Sequence, residues 1–237
     1  MSFQYIFKRV EKKYLLNESQ YQAVLAGIAE YMSPDKYGEC TICNIYFDTQ
    51  DSRLIQISID KPVYKEKLRL RSYGLPKHNE DTVFLEIKKK YKGVVYKRRM
   101  AMTYKDAKEY ISTGTLPDNI RGNIPREIDY MMHYWGLSPK LFLAYERTAY
   151  FCPDNPHLRI TFDKNIRSRY NDVSFEYGDK GEYLLPENTY IMEIKIPNAA
   201  PLWLAHLLSD NNIFSQSFSK YGTVYTNTIK KGENSDV

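Results

Sequence analysis

The sequence predicts an α+β domain built on a large antiparallel sheet or barrel. Three observations carry that expectation. Extended runs with period-two alternation recur from end to end. Capped stretches with helical periodicity interrupt them. And 22 of the 237 residues are tyrosine, a side chain that suits half-buried sheet surfaces.

Taken in order, residues 4–16 alternate as a first strand. Asn17 followed by Gln20 forms a capping-box pattern, and Tyr21, Val24, Leu25, Ile28 and Met32 then share one helical face. Strands are expected at 40–48 and 63–73, with a short helix at 51–58 between them. Residues 82–90 and 94–102 are the long arms of a hairpin turning at Tyr91-Lys92-Gly93. A short helix follows at 104–111. Pro125 fits a first helical turn, with Ile128, Met131, Met132 and Trp135 as the apolar stripe and Gly136 as the stop. Strands follow at 140–151, 157–163, 165–176 and 189–196. Pro201 opens a buried helix through Leu208, and 217–230 places Phe218, Tyr221, Tyr225 and Thr228 at helical spacing. No repeat or Pro/Gly/Ser linker divides the chain, so one domain spanning 1–237 is expected, with 230–237 a frayed polar tail.

Composition excludes several classes. With 43% hydrophobic and 27% charged residues the chain is not of the disordered type. No apolar run approaches the roughly 20 residues of a membrane span, so no membrane insertion is expected, though a membrane-protein partner is compatible. The first residues lack the apolar core of a secretory signal. Three cysteines cannot build a disulfide framework, which fits a reducing, cytoplasmic location. Cys40 and Cys43 have CxxC spacing but no second pair, and the four histidines are scattered. No P-loop or catalytic triad is present.

The informative signal is which residues alternate. Side chains at i, i+2 and i+4 of a strand share a face. Those faces carry Arg9, Lys13, Lys65, Lys67, Arg69, Arg71, Lys88, Lys90, Lys97, Arg99, Arg147, Arg159, Arg167, Arg169 and Lys195, against Glu11, Glu86, Asp163 and Glu193. Fifteen bases thus face four acids, leaving 19 basic and 25 acidic residues elsewhere. A chain of net charge +5 is read as an acidic shell around one basic surface. Solvated faces normally mix signs, so a polyanionic partner is implied. Nucleic acid and a phosphate chain both fit. RNA-binding sheets interleave stacking aromatics with their bases, whereas Lys67, Arg69 and Arg71 follow one another directly. The acids among the bases suit a divalent metal on phosphate oxygens. A phosphate channel is therefore favoured, and no nucleic-acid partner is expected.

Six motifs then occur in order: Lys67-Leu-Arg-Leu-Arg71, Phe84-Leu-Glu-Ile-Lys88, Tyr145-Glu-Arg-Thr-Ala-Tyr150, Leu158-Arg-Ile-Thr-Phe-Asp163, Met192-Glu-Ile-Lys195 and Phe218-Ser-Lys-Tyr221. Together they resemble the catalytic domain of the vacuolar transporter chaperone (VTC) proteins, the polyphosphate polymerase branch of the triphosphate tunnel metalloenzyme (CYTH-like) superfamily, over about 7–225. The resemblance implies an antiparallel β-barrel tunnel of about eight strands, lined by bases, with helices inserted and packed outside. It implies an ATP-dependent phosphotransferase that makes polyphosphate and uses Mn²⁺ or Mg²⁺, with ATP and polyphosphate as ligands. A triphosphate hydrolase and a non-catalytic polyphosphate-binding module are the alternatives.

Carried over by position, Arg69, Arg71, Arg147 and Arg159 become the catalytic phosphate clamps. Lys13, Lys67, Lys88, Lys97 and Lys220 become phosphate-binding residues. Glu193 becomes the metal ligand, with Glu11 helping and Glu86 either a further helper or an ion-pair partner of Lys88 or Arg99. Two positions depart from related patterns. Many tunnel triphosphatases begin Glu-x-Glu-x-Lys, and here the first acid is Arg9, which disfavours a two-metal hydrolase. Ser217 stands where the polymerase motif has a second lysine.

Overall fold

The structure, a computed structural model, describes residues 10–92, 94–196 and 199–233. Ten strands and six α-helices alternate along it. The strands are β1 (Val10–Leu16), β2 (Ser33–Pro34), β3 (Cys40–Asp48), β4 (Tyr64–Tyr73), β5 (Thr82–Tyr91), β6 (Val94–Thr103), β7 (Ser138–Cys152), β8 (Asn155–Arg169), β9 (Glu182–Tyr183) and β10 (Tyr190–Ile196). The helices are α1 (Glu18–Ile28), α2 (Arg53–Ile59), α3 (Tyr104–Thr113), α4 (Asn123–Trp135), α5 (Leu202–Asp210) and α6 (Lys220–Glu233).

Eight strands form one path in the order β1-β10-β8-β7-β3-β4-β5-β6, with β2 pairing β7 and β9 pairing β8. Every pairing is antiparallel. Six steps separate β1 from β5, about 29 Å if the sheet were flat. Yet Lys88 Nζ on β5 lies 3.0 Å from Glu11 Oε2 on β1, so the sheet curls until β1 meets β5, the strand next to the other end, through side chains. The hydrogen-bonded path itself does not close. Among the described residues β1 and β6 are its unpaired ends.

Alternation gives the curled sheet an apolar outer face. One core joins Leu68, Leu70, Leu85, Ile87 and Phe142 to Tyr110, Ile128 and Met131 of α3 and α4. A second joins Tyr14, Leu158, Ile160, Met192 and Ile194 to Val24 and Ile28 of α1 and Leu204 of α5. The inner face holds a third cluster, where Ile42, Leu141, Leu143 and Tyr145 pack on Ile55 of α2 and on Tyr221 and Val224 of α6. The expected helices are present. Asn17 and Gln20 form the capping box of α1, and Gly136 ends α4 in the left-handed conformation at φ 59°.

Several expectations are corrected. The strands expected at 157–163 and 165–176 are one strand, β8, ending at Arg169. Its pairing with β7 slips between Ala144 and Glu146, and Asn165 has φ 51°. A one-residue slip turns the following side chains to the other face. Ile166 therefore points into the inner cluster, while Arg169 lies 3.7 Å from the ring centroid of Phe142, an outer-core residue. Arg167 and Arg169 thus leave the basic inner surface. Arg167 instead pairs with Glu146 and Asp179. The last helix begins at Lys220 rather than at 217, because Gln216 N–H donates to Lys13 O at 2.8 Å and Ser219 Oγ accepts from Gly222 N–H at 3.2 Å. It continues through Glu233, so residues 230–233 of the expected tail belong to α6. Arg9, Gly93 and residues 234–237 lie outside the described residues.

Candidate active site

Among the described residues, nine cations and four carboxylates gather at the centre of the inner surface, with Lys65, Lys90 and Arg99 at inward positions nearer its ends. The cations are Lys13, Lys67, Arg69, Arg71, Lys88, Lys97, Arg147, Lys195 and Lys220. The acids are Glu11, Glu86, Asp163 and Glu193. They come from seven strands and the start of α6, and cross-strand register sets their order. Arg69 faces Glu86 across β4 and β5, and Glu86 faces Arg99 of β6. Lys67 faces Lys88, which faces Lys97. Lys13 faces Glu193, which faces Thr161.

Two carboxylates act as hubs. Glu86, 2% exposed, accepts from Arg69 Nε at 2.9 Å and Nη2 at 2.7 Å, and Lys97 Nζ lies 2.7 Å from its other oxygen. Arg71 Nη1 stands 3.8 Å away. Burial alone would raise the Glu86 pKa, but these cations outweigh it and hold the carboxyl well below its usual range. Glu86 is thus an ion-pair partner, though of Arg69 and Lys97 rather than of Lys88 or Arg99. Asp163, fully buried, accepts from Arg147 Nε at 2.5 Å and Nη2 at 2.7 Å, and from Lys220 Nζ at 2.5 Å. Its carboxyl is likewise held low against burial.

Arg71 is fixed by Asn44 Oδ1 at 3.1 Å and the Tyr145 hydroxyl at 3.3 Å, and Arg69 Nη1 donates to the Tyr46 hydroxyl at 3.3 Å. Arg69, Lys67 and Arg71 pull the Tyr46 phenol down to about 8 although burial opposes them.

The lysines are under the opposite stress. Burial, and then the Lys220 charge, pull Lys13 down to about 8. Burial, with Lys65, Lys13 and Lys88 nearby, does the same to Lys67. Their ammonium groups rest on neutral acceptors: Lys13 Nζ donates to Phe218 O at 2.7 Å and Lys67 Nζ to Ser219 Oγ at 3.1 Å. Lys97 is drawn to about 7 by burial and by Arg69 and Arg71. With 43% of its side chain in solvent, screening makes that the softest of the three shifts.

Glu193 sits 3.1 Å from Lys195 Nζ. Lys195, Lys13, Arg147 and Lys88 outweigh burial and keep it ionised, well below the usual range. Glu11 feels the Glu193 charge and pairs with Lys88. Among the described residues no three His, Cys, Asp or Glu side chains cluster as a ready metal cage.

The structure therefore brings together ten of the eleven residues singled out from the sequence. The other, Arg159, shares the inward alternation but is drawn to the rim, where its Nη2 lies 2.6 Å from Asp35 Oδ2 with 47% of its side chain exposed. Sequence reasoning gave no role to Tyr46, Asn44 or Tyr145, and counted Asp163 and Lys195 without assigning them one. The inward alternation of 44 with 46 on β3 was the available signal for the first two.

The VTC domain family matches residues 8–228 of the chain. Among solved structures, a proposed adenylate cyclase of Bacillus halodurans is similar at 14% identity, with a TM-score of 0.58 over 91% of this chain and 96% of that one. A proposed adenylate cyclase of Vibrio parahaemolyticus gives 13% identity and a TM-score of 0.50, over 92% and 98%. At these identities the likeness is one of fold. No curated protein matches the chain. Among the described residues no helix is long and apolar enough to cross a membrane.

Proposed function

The chain belongs to the VTC domain family, and on that premise we propose that its inner surface performs divalent-metal-dependent phosphoryl transfer, extending polyphosphate from ATP. The observation that carries this reading is the set of desolvated cations in excess of the carboxylates around them, with Lys13 and Lys67 pulled down to about 8. Such a surface is stabilised by a ligand of closely spaced negative charges, and a phosphate chain is one. The family membership and the fold shared with the two similar structures support it.

Phosphoryl transfer needs in-line positioning and neutralisation of charge on the moving group. Arg69, Arg71 and Arg147 are assigned to that task. Each is locked by a carboxylate, amide or phenol behind it, so its remaining N–H donors are fixed before substrate arrives. A guanidinium has five N–H donors, and Asp163 takes only Nε and Nη2 of Arg147. Lys13, Lys67, Lys88, Lys97 and Lys220 supply point charges along the chain of phosphates, and Arg159 supplies one at the rim.

The donor set fits a hard cation. Glu193 is ionised and half-buried, Glu11 is close enough to feel its charge, and the buried Thr161 hydroxyl opposite Glu193 has no hydrogen-bond partner among the described residues. Oxygen donors of this kind suit Mg²⁺ or Mn²⁺. Glu193, assisted by Glu11, would hold the ion, which when bound neutralises charge on the phosphate oxygens.

A second reading, a polyphosphate-binding module without turnover, is favoured by one observation: all four inner carboxylates are already engaged by cations. Purified protein incubated with ATP and Mn²⁺, with products resolved on a gel, decides among the readings. A ladder of lengthening chains is the expected result. Phosphate release without chains makes the protein a hydrolase. Tight polyphosphate binding with neither leaves the binding module.

A further inference from the structure

The two ends of the basic surface differ in chemistry. Along β4 the inward positions read Lys65, Lys67, Arg69, Arg71, Tyr73, and along β5, in register, they read Lys90, Lys88, Glu86, Phe84. One end is lysine. The other carries aromatic rings: Tyr73 is 54% exposed, its ring meets Phe84 edge-on at 5.8 Å, and the Arg99 guanidinium lies 4.7 Å from the Phe84 ring centroid. Phe84 is the cross-strand partner of Arg71, so this aromatic corner directly adjoins the arginine clamp.

An exposed tyrosine at a sheet end carries no meaning by itself. Here three features coincide on one face. The ring pair borders the phosphate clamp, a planar cation covers it, and the opposite end is purely basic. Tyr73 lies one two-residue step, about 7 Å, beyond Arg71, which is of the order of the span of a ribose. Resting on the phosphotransfer reading above, we propose that Tyr73, Phe84 and Arg99 form a stacking platform for the nucleobase of a bound nucleoside triphosphate. The nucleotide then lies with its base at the Tyr73 end and its phosphates on Arg71 and Arg69. The phosphate chain continues toward Lys67 and Lys88 and leaves past Lys65 and Lys90. The platform assigns a direction to the channel.

Stacking on an aromatic ring and on a guanidinium plane is tolerant of base identity, so ATP and GTP are expected to bind within a few-fold of one another. The test compares ATP with inorganic tripolyphosphate, which carries the phosphates without a base. Calorimetric titration of the wild type, Tyr73→Ala, Tyr73→Phe and Arg99→Ala is the measurement. Tyr73 and Arg99 are exposed enough that truncation leaves the fold intact, and a thermal melt verifies this. Tyr73→Ala and Arg99→Ala are expected to lower the ratio of ATP to tripolyphosphate affinity by about fivefold to a hundredfold, and Tyr73→Phe to keep it. An unchanged ratio in both alanine variants overturns the platform, as does an equal loss of the two ligands, which would make these side chains part of the phosphate path. If the wild type binds neither ligand, the phosphotransfer reading fails and the platform with it. If it binds both and only the ratio test fails, the phosphotransfer reading stands without the platform.

Discussion

Replacing Asp163 by Asn removes one negative charge from beneath Arg147 and Lys220 while keeping the shape of the side chain. Asp163 is fully buried, and the side chains that it pairs with are only 17% and 10% exposed. Breaking a buried pair leaves charge uncompensated and costs about 3–5 kcal/mol. The amide oxygen still accepts one hydrogen bond, but its NH₂ now faces a donor, so part of that cost remains even after rearrangement. For a chain of 237 residues, each kcal/mol moves Tm by about 2–4 °C, which gives a fall of about 6–20 °C. Circular-dichroism melts measure it. The same melts with saturating tripolyphosphate carry the sharper expectation. A ligand at a hundred times its Kd adds about 2.7 kcal/mol, or about 5–11 °C, to the wild type. Asp163→Asn should gain more, because the polyanion supplies the missing charge. If the variant melts with the wild type, the Asp163 hub carries little energy. If tripolyphosphate raises both proteins equally, the ligand does not reach Arg147 and Lys220, and their assignment to the phosphate site is refuted.

Three further expectations follow from the same charges. Glu193→Gln should lower metal-dependent turnover by orders of magnitude while metal-free polyphosphate binding survives or tightens, and a variant of wild-type activity removes Glu193 from metal binding. Arg69→Ala should weaken polyphosphate binding and turnover together, by about 2–5 kcal/mol; a loss confined to stability makes the residue structural. The ligand-free protein should gain stability as pH rises from about 8 toward 10: Lys13 and Lys67 are pulled down to about 8, an unfolded lysine stays protonated to about 10.4, and the unfolded state therefore binds more protons across that window. Tripolyphosphate affinity should fall over the same range as the ammonium groups discharge, and a flat profile in both measurements contradicts the crowding of these lysines.

Much of the sheet was legible because alternation reports on a face, and each edge of β3 through β6 was foreseen to within a residue or two. Alternation fails where a strand slips. Arg167 and Arg169 kept their spacing in sequence, but the irregularity opposite Glu146 turned them outward, and no residue type marks such a slip. The basic surface was legible as an excess of sign. Its pairing was not, since Asp163 meets Lys220 across 57 residues and Lys88 meets Glu11 across 77. Nor does a tally by sign show which cations hold the fold: Glu86 is buried and gripped by Arg69, so truncating Arg69 strips a desolvated carboxylate of its nearest partner.

The unclosed path of strands has a mechanical consequence. Between any two neighbours on the path, widening the channel means breaking a ladder of backbone hydrogen bonds. Across the gap, β1 meets β5, the strand next to the other end, through the Lys88–Glu11 ion pair, with side chains 46% and 20% exposed. Such a pair is worth about 0–1 kcal/mol and is screened by salt. Among the described residues, the ladders along the path are therefore stiffer than this contact, and ionic strength sets how firmly the ion pair latches β1 to β5. Lys88 and Glu11 belong to the charged set assigned above to the proposed phosphate site, so on that proposal a polyanion that draws Lys88 toward itself weakens its pair with Glu11 as it binds.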